Sequence, residues 1–99
     1  MVKLVVSSSE RKGKRFKAVF TYENGKTVTT HFGLKNAKKG TYIDHQDKVL
    51  RKSYRARHKQ DLRSNDFTRA GYLSYYILWG RKTNLKDAVA SYKKRFGLE

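Results

Sequence analysis

The first third of the chain alternates between apolar and polar residues, which is typical of half-buried strands. A short β-branched run at Val2–Val6 precedes the alternating segment Arg15–Tyr22, and the segment Lys26–Phe32 follows. Asn24-Gly25, between the last two segments, is a strong hairpin signal, because both residues tolerate the positive φ of a type I′ turn. We therefore predict a three-stranded antiparallel β-meander over residues 1–33.

A two-residue turn at Asn24-Gly25 would pair Tyr22 with Thr27, Phe20 with Thr29, and Ala18 with His31. One face of the hairpin then carries Phe16, Ala18, Phe20 and Tyr22. The opposite face carries Val19, Thr21, Val28, Thr30 and Phe32. Neither face is cleanly polar, so the pattern leaves open which one meets the rest of the protein.

The remainder of the chain predicts three helices after an irregular crossover at Gly33–Thr41. The first runs from about Gln46 to Lys59, with Asp44 or His45 near its start. The second runs from about Phe67 to Trp79, with Asn65 or Asp66 as N-cap and Gly80 as its stop. It is apolar nearly all round, which favours a central position.

The third helix has apolar residues at helical spacing between Leu85 and Phe96. Asn84 is its predicted N-cap, Asp87 adds a weak capping box, and Gly97 ends it. Strands followed by helices predict an α+β fold, with three α-helices packed on one face of the meander. The length of 99 residues fits one domain, residues 1–99, with a helical part at 45–97.

The charge of the chain is strongly positive, with 24 Lys and Arg, 8 Asp and Glu, and a formal net charge of +16. Both halves contribute, so the charge belongs to the domain and not to a tail. The absence of Cys excludes disulfide scaffolds, thiolate zinc sites and Cys nucleophiles. No apolar run approaches the length of a membrane span or the core of a secretion signal. We expect a soluble intracellular domain whose charge meets an anion.

The first predicted helix carries a basic stripe, formed by residues spaced i, i+3, i+4, i+7 and i+11. These residues are Lys48, Arg51, Lys52, Arg55 and Lys59. The stripe is about 16 Å long at 1.5 Å per residue. A solvated helix face normally mixes signs to gain i,i+4 pairs, whereas this segment holds no acid. The stripe therefore indicates an anion-binding face, with a plain solvated surface as the alternative.

A second basic cluster lies at the first strand turn. It contains Arg11, Lys12, Lys14 and Arg15. Such a loop can clamp phosphates, act as a nuclear-localisation run, or serve only solubility. Further positive charge lies near the third helix, at Arg81, Lys82, Lys93, Lys94 and Arg95. Lys93, Lys94 and Arg95 fit the simpler role of favouring carbonyls at a helix C-terminus.

Aromatic residues are interspersed with the basic ones. They are Tyr42, Tyr54, Tyr72, Tyr75, Tyr76, Trp79 and Tyr92. A small core needs large side chains, and we expect most of these rings to fill it. Stacking on nucleic-acid bases is the alternative, and Trp79, beside Arg81 and Lys82, is its best candidate.

The sequence gives little support for a catalytic or metal-binding site. Asp44, Asp47 and His58 are the set that would ligate Mg²⁺ or Zn²⁺ in a small nuclease, but their spacing matches no metal motif, and helix capping is the simpler role. His31 alone on a strand is more consistent with a structural role. We predict no catalytic residues, no metal and no cofactor.

Five segments carry a resemblance to a known family. They are Phe32-Gly33, Asp44-His45-x-Asp47, Arg51-x-x-Tyr54-x-x-Arg57-His58, Ala70-Gly71-x-Leu73-Ser74-Tyr75-Tyr76-Ile77-Leu78-Trp79, and Tyr92-Lys93-Lys94-Arg95-Phe96. The chain resembles small basic proteins of unknown function that are encoded by large DNA viruses of algae and amoebae. The resemblance covers about two-thirds of the chain and implies a viral origin, with no established activity. It singles out Arg57-His58, and we expect Arg57 to make an internal hydrogen-bonded contact.

These observations predict a non-enzymatic nucleic-acid-binding protein, for DNA rather than RNA, with phosphate contacts and little sequence specificity. The alternatives are a virion or capsid-associated structural protein with acidic partners, and a small metal-dependent nuclease. No membrane partner is expected. We expect the protein in the host nucleus or a viral factory, with packaging in the virion left open.

Overall fold

The computed structural model describes residues 1–35, 38 and 40–99. Its antiparallel sheet has three strands in the order β1 (Lys3–Ser8), β2 (Lys14–Thr21) and β3 (Thr27–Leu34). The predicted β-meander is confirmed. Positions 36, 37 and 39 of the predicted crossover lie outside the described residues.

The turn between β2 and β3 has three residues instead of the predicted two. The backbone N–H of Tyr22 donates to the carbonyl of Lys26 at 2.8 Å, and the N–H of Gly25 donates to the carbonyl of Tyr22 at 2.9 Å. Gly25 lies in the left-handed region with φ of 85°, whereas Asn24 does not. The type I′ prediction is therefore wrong, because a type I turn followed by a left-handed glycine closes the hairpin.

The extra turn residue shifts the hairpin register by one position. Phe20 pairs with Val28, not with Thr29, and Phe16 pairs with Phe32. A shift of one residue moves every side chain of β3 to the other face of the sheet. Phe32 thereby joins the buried face, which meets the helices. The fully or largely buried residues of this face are Leu4, Phe16, Ala18, Phe20 and Phe32.

The first predicted helix corresponds to the helix Lys48–His58, with a separate short helix before it and a 3₁₀ helix after it. α1 (Tyr42–His45) ends at Gln46, which has a left-handed φ of 54°. α2 (Lys48–His58) then begins at the N-cap Asp47, whose carboxylate accepts from two backbone N–H groups of the first turn, at 2.9 and 3.2 Å. The chain continues as a 3₁₀ helix, Lys59–Ser64. Asp44 and His45, which were expected near the start of the first predicted helix, belong instead to α1.

The second predicted helix begins later than expected. α3 (Ala70–Leu73) continues as a π-helical turn, Ser74–Leu78, and ends before Gly80. The predicted N-caps at 65 and 66 are wrong, because Asp66 accepts from the N–H of Thr68 at 2.9 Å and closes a separate turn. The central position is confirmed by three side chains that are almost fully buried: Leu73, Ile77 and Leu78.

The last helix, α4 (Leu85–Phe96), has the predicted bounds. Asn84 caps it by accepting from the N–H of Asp87 at 2.9 Å, and Gly97 follows it with φ of 65°. The chain end then returns to the sheet, where the backbone of Glu99 forms two hydrogen bonds with residues 2 and 4, at 2.8 and 2.7 Å.

The α+β architecture is thus confirmed, with helices covering the buried face of the three-stranded sheet. Within the described ranges, no helix combines the length and the apolar character that a membrane span requires.

Candidate nucleic-acid interface

Two arginines of the predicted basic stripe are turned toward the protein. Nε of Arg51 donates to the carbonyl oxygen of Gly80 at 2.7 Å. Nη1 of Arg55 donates to the carbonyl oxygens of Trp79 and Tyr75, at 3.0 and 3.3 Å. The last carbonyls of a helix lack partners within the helix, so cationic donors are favourable there. Arg51 and Arg55 therefore join α2 to the end of the central helical segment.

Positively charged side chains of α2 and of two other segments line two neighbouring cavities. These cavities share three lining residues, and we call them together the cationic groove. The first, the arginine pocket, measures about 380 Å³, and the second, the outer cleft, about 480 Å³. Arg51, Arg55 and Arg81 line both cavities. Lys82 and Arg95 line only the pocket, and Lys48 and Lys52 line only the cleft.

The charged residues described in the lining of the cationic groove are all positive. Its remaining lining residues are Tyr42, Tyr76, Gly80, Ser91 and Tyr92, and none of the described lining residues is acidic. Burial lowers the pKa of the Arg55 guanidinium, and the nearby positive charges of Arg51 and Arg95 lower that pKa further. Seven cationic side chains are therefore gathered where their mutual repulsion is not offset by carboxylates of the groove itself.

The structure gathers six of the eleven predicted binding residues in this groove: Lys48, Arg51, Lys52, Arg55, Arg81 and Lys82. Lys59, the last residue of the stripe, begins the 3₁₀ helix and does not line either cavity. The predicted clamp at the first strand turn is also separate from the groove lining. Arg11, Lys12 and Lys14 are exposed there.

Arg15, the fourth residue of the predicted clamp, forms an ion pair with Asp44. Its Nη1 and Nη2 each donate to one carboxylate oxygen of Asp44 at 2.7 Å. The hydrogen bonds from Arg15 hold the pKa of Asp44 well below its ordinary value. Asp44 also accepts from the backbone N–H and the hydroxyl of Thr41, at 2.8 and 2.9 Å. This pair therefore ties the sheet to α1.

Arg95 is a groove residue that was not among the predicted binding residues. The simpler interpretation assigned it to the C-terminal carbonyls of its helix, yet it lines the arginine pocket, and its Cζ lies 4.5 Å from the ring centroid of Tyr76. Its position three residues after the buried Tyr92 was the available signal, because residues at this spacing share a helix face.

Most of the aromatic residues fill the core, as expected, and this includes Trp79. The Trp79 side chain is only 9% exposed, and its ring stacks on Tyr54 with centroids 4.5 Å apart and planes 8° apart. Tyr54 stacks in turn on His58 at 4.1 Å. The alternative, in which Trp79 stacks on a base, is therefore wrong, because both its burial and its contact with Tyr54 prevent access.

The candidate metal ligands serve structural contacts. Asp44 pairs with Arg15, Asp47 caps α2, and Nδ1 of His58 lies 3.1 Å from Oδ2 of Asp61. Among the described residues there is no cluster of three or more His, Asp or Glu that would hold a metal ion. The predicted structural role of His31 agrees with its 2.7 Å contact to Ser9 Oγ.

The expectation that Arg57 makes an internal hydrogen bond is wrong. Its side chain is exposed, while Arg51 and Arg55 make the internal contacts that were expected of it. The reason is rotational position, because Arg51 and Arg55 lie one helical turn apart on the side of α2 that faces the central helix.

Fold and site together define a small α+β domain with a cationic groove on its helical side. Residues 4–58 match the family of unknown function DUF5754, and the chain belongs to this family. An uncharacterised protein of Acanthamoeba polyphaga mimivirus is 34% identical over 87 aligned residues, which cover 77% of this chain and 80% of that protein. No solved structure matches the chain.

The predicted resemblance to an uncharacterised family with viral members is confirmed. The family match begins at residue 4, so it includes the sheet, whereas the five motifs that carry the resemblance begin at Phe32. It ends at residue 58, after α2 and before the segments that contribute Arg81, Lys82 and Arg95. That the members of the family are small and basic, and that they come from viruses of algae and amoebae, stays a prediction.

Proposed function

We propose that this protein is a non-enzymatic nucleic-acid-binding protein that contacts phosphates through the cationic groove. DNA is the proposed partner in preference to RNA, and the binding is largely independent of sequence. The observation that carries the proposal is the convergence of seven Lys and Arg side chains from three segments on a groove without acidic lining residues in the described chain.

The physical basis of the proposal is counterion release. Each phosphate that a Lys or Arg neutralises frees a condensed cation, so the affinity falls steeply as salt is added. The tyrosines of the groove are few, and Trp79 is buried, so base stacking contributes little to this surface. Affinity that comes from phosphates alone discriminates weakly between sequences.

The choice of test residues follows from the contacts of α2. Arg51 and Arg55 are unsuitable for a charge change, because both arginines also donate to backbone carbonyls and their loss would disturb the fold. Lys48 and Lys52 are exposed and line only the outer cleft. The double variant Lys48→Gln/Lys52→Gln therefore removes phosphate contacts with little effect on stability.

The experiment is a fluorescence-anisotropy titration against duplex DNA, single-stranded DNA, RNA and heparin at several salt concentrations. With about six phosphates engaged, the log–log salt slope for duplex DNA should be about −5. The Lys48→Gln/Lys52→Gln variant should reduce its magnitude by about 2. A matched control, Lys3→Gln/Lys26→Gln, removes the same charge from exposed positions on the sheet side.

The control variant should retain a slope close to that of the unmodified protein. Equal weakening by both double variants would contradict a localised groove, and absence of binding to every nucleic acid would contradict the function. In that case, stable association with an acidic virion protein would favour the structural alternative. Nucleic acid as partner implies action in the host nucleus or viral factory, and in the virion if the protein is packaged with the genome.

A further inference from the structure

We propose that the arginine pocket binds a compact polyphosphate, in which several phosphate groups are linked directly to one another. The 5′-triphosphate end of a strand and a free nucleoside triphosphate both present this chemistry. The inference rests on the proposed function, since it concerns the same cationic groove, and it deepens that function by assigning separate roles to the two cavities. The outer cleft follows the backbone, and the pocket takes the polyphosphate.

Charge density distinguishes the two cavities. Five cationic side chains line the 380 Å³ of the pocket: Arg51, Arg55, Arg81, Lys82 and Arg95. A backbone phosphodiester carries one negative charge, and even a terminal phosphomonoester carries only about −1.5 to −2 at pH 7. Five positive charges around so small a volume are matched best by several phosphates arriving together.

Two arginines that line the pocket, Arg51 and Arg55, are already held in position. Gly80 accepts from Nε of Arg51, and Trp79 accepts from Nη1 of Arg55, so each guanidinium is held at one side by backbone. A guanidinium has five N–H donors in a planar fork, which suits phosphate oxygens. In the described part of the chain, neither arginine pairs with a carboxylate. Donors therefore remain for a ligand, and the arginines lose little side-chain conformational entropy on binding because they are already ordered.

The walls of the pocket set its size. Tyr92 is fixed by the hydrogen bond from its hydroxyl to the carbonyl of Phe67 at 2.6 Å, and Tyr76 packs under the guanidinium of Arg95. The volume of 380 Å³ falls within the range of small-molecule sites. A polyphosphate with or without its nucleoside fits such a volume.

The test compares three double variants that each remove two positive charges. Lys82→Gln/Arg95→Gln alters only the pocket, Lys48→Gln/Lys52→Gln alters only the outer cleft, and Lys3→Gln/Lys26→Gln alters neither. The probes in calorimetric titrations are inorganic tripolyphosphate and adenosine triphosphate. Oligonucleotides of one sequence with a 5′-hydroxyl, 5′-monophosphate or 5′-triphosphate are compared by anisotropy. Circular dichroism melts verify that each variant is folded.

We expect tripolyphosphate to bind with one molecule per chain, and the pocket variant to weaken this binding about tenfold or more, the effect of losing one hydrogen bond to a charged group. The cleft and sheet variants should weaken it much less. If the 5′-triphosphate strand binds more tightly than its 5′-hydroxyl form, and only when the pocket is intact, the polyphosphate is the end of a strand. A preference for adenosine triphosphate without such an end effect identifies a free nucleotide.

The inference is overturned if tripolyphosphate shows no saturable binding, or if all three variants weaken it equally. If DNA binding still depends on the outer cleft in that case, the proposed function stands without the polyphosphate site. Conversely, pocket-dependent binding of tripolyphosphate with no binding of DNA or RNA would overturn the proposed function and leave the pocket as a site for a free polyphosphate.

Discussion

Arg55 donates from Nη1 to the carbonyl oxygen of Trp79 at 3.0 Å, across 24 positions of sequence. The same guanidinium lies 4.0 Å from the ring centroid of Tyr75, so it contacts the central helical segment through both charge and packing. A residue of the basic stripe thus contributes to stability as well as to the charge of the cationic groove. The two roles are separable by choosing which stripe residue is changed.

Replacing Arg55 by Gln should lower the free energy of unfolding by about 1–3 kcal/mol, because two helix-end carbonyls lose a charged donor. Arg55→Lys should recover only part of the loss, since an ammonium lacks the planar fork. The control Lys52→Gln should change stability by less than about 0.5 kcal/mol, as is usual for an exposed side chain. Urea denaturation measures all three. Equal stabilities of Arg55→Gln and Lys52→Gln would contradict the structural role.

The glycine that accepts from Arg51 should also be sensitive to substitution. A Cβ on Gly80 would lie 2.2 Å from the carbonyl oxygen of Tyr76, which is backbone and cannot move cheaply. We expect Gly80→Ala to cost about 2 kcal/mol or more in urea denaturation. Gly97→Ala is the control, because its Cβ meets nothing within 4 Å and only the positive φ of 65° opposes it, at about 1 kcal/mol. A smaller loss at Gly80 than at Gly97 would contradict the close approach.

How far the fold follows from sequence depends on whether the signals are local. The bounds of α4 are predictable because Asn84 and Gly97 mark its two ends directly. The hairpin register is not, because Asn24-Gly25 suits a two-residue turn and also a three-residue turn with the glycine in the left-handed region. Burial decides between them, since only the longer turn places Phe32 opposite Phe16, where their ring centroids are 5.8 Å apart.

The candidate site likewise depends partly on local signals in the sequence and partly on tertiary contacts. Helical spacing predicts that the stripe residues share one side of α2, and Lys48 and Lys52 lie in the cationic groove as that spacing indicates. The inward contacts of Arg51 and Arg55 depend on where the central helical segment ends, which no local pattern gives. The contribution of Arg95 depends in the same way on how α4 packs beside that segment.

The ion pair between Arg15 and Asp44 predicts a pH dependence of stability. Both side chains are about one-third exposed, so solvent screening limits the effect, and we expect Asp44→Asn to cost about 1–2 kcal/mol near neutral pH. The pKa of Asp44 is lower in the folded protein than its ordinary value of 3.8. The stabilisation is therefore complete above that ordinary value and is lost as the pH falls through and below it.

Urea denaturation of the unmodified protein and of Asp44→Asn, at pH 7 and at several pH values below 4, measures this dependence. The difference in unfolding free energy should shrink steadily toward acid. Arg15→Gln should reproduce the loss at pH 7, whereas Arg11→Gln, which changes an exposed arginine of the same turn, should not. A difference that stays constant down to pH 2 would mean that the ion pair contributes nothing measurable.

The last prediction compares two lysines of the stripe that differ in their relation to the groove. Lys52 lines the outer cleft, whereas Lys59 begins the 3₁₀ helix outside it. Each change to Gln removes one charge, so a purely global effect of charge would be equal. If phosphates lie in the groove, Lys52→Gln should reduce the magnitude of the duplex-DNA salt slope by about 0.9, and Lys59→Gln by clearly less. Anisotropy titrations at three salt concentrations separate the two. A larger effect at Lys59 would mean that DNA follows the whole helix face, because the phosphates would then extend beyond the cavity that the arginines define.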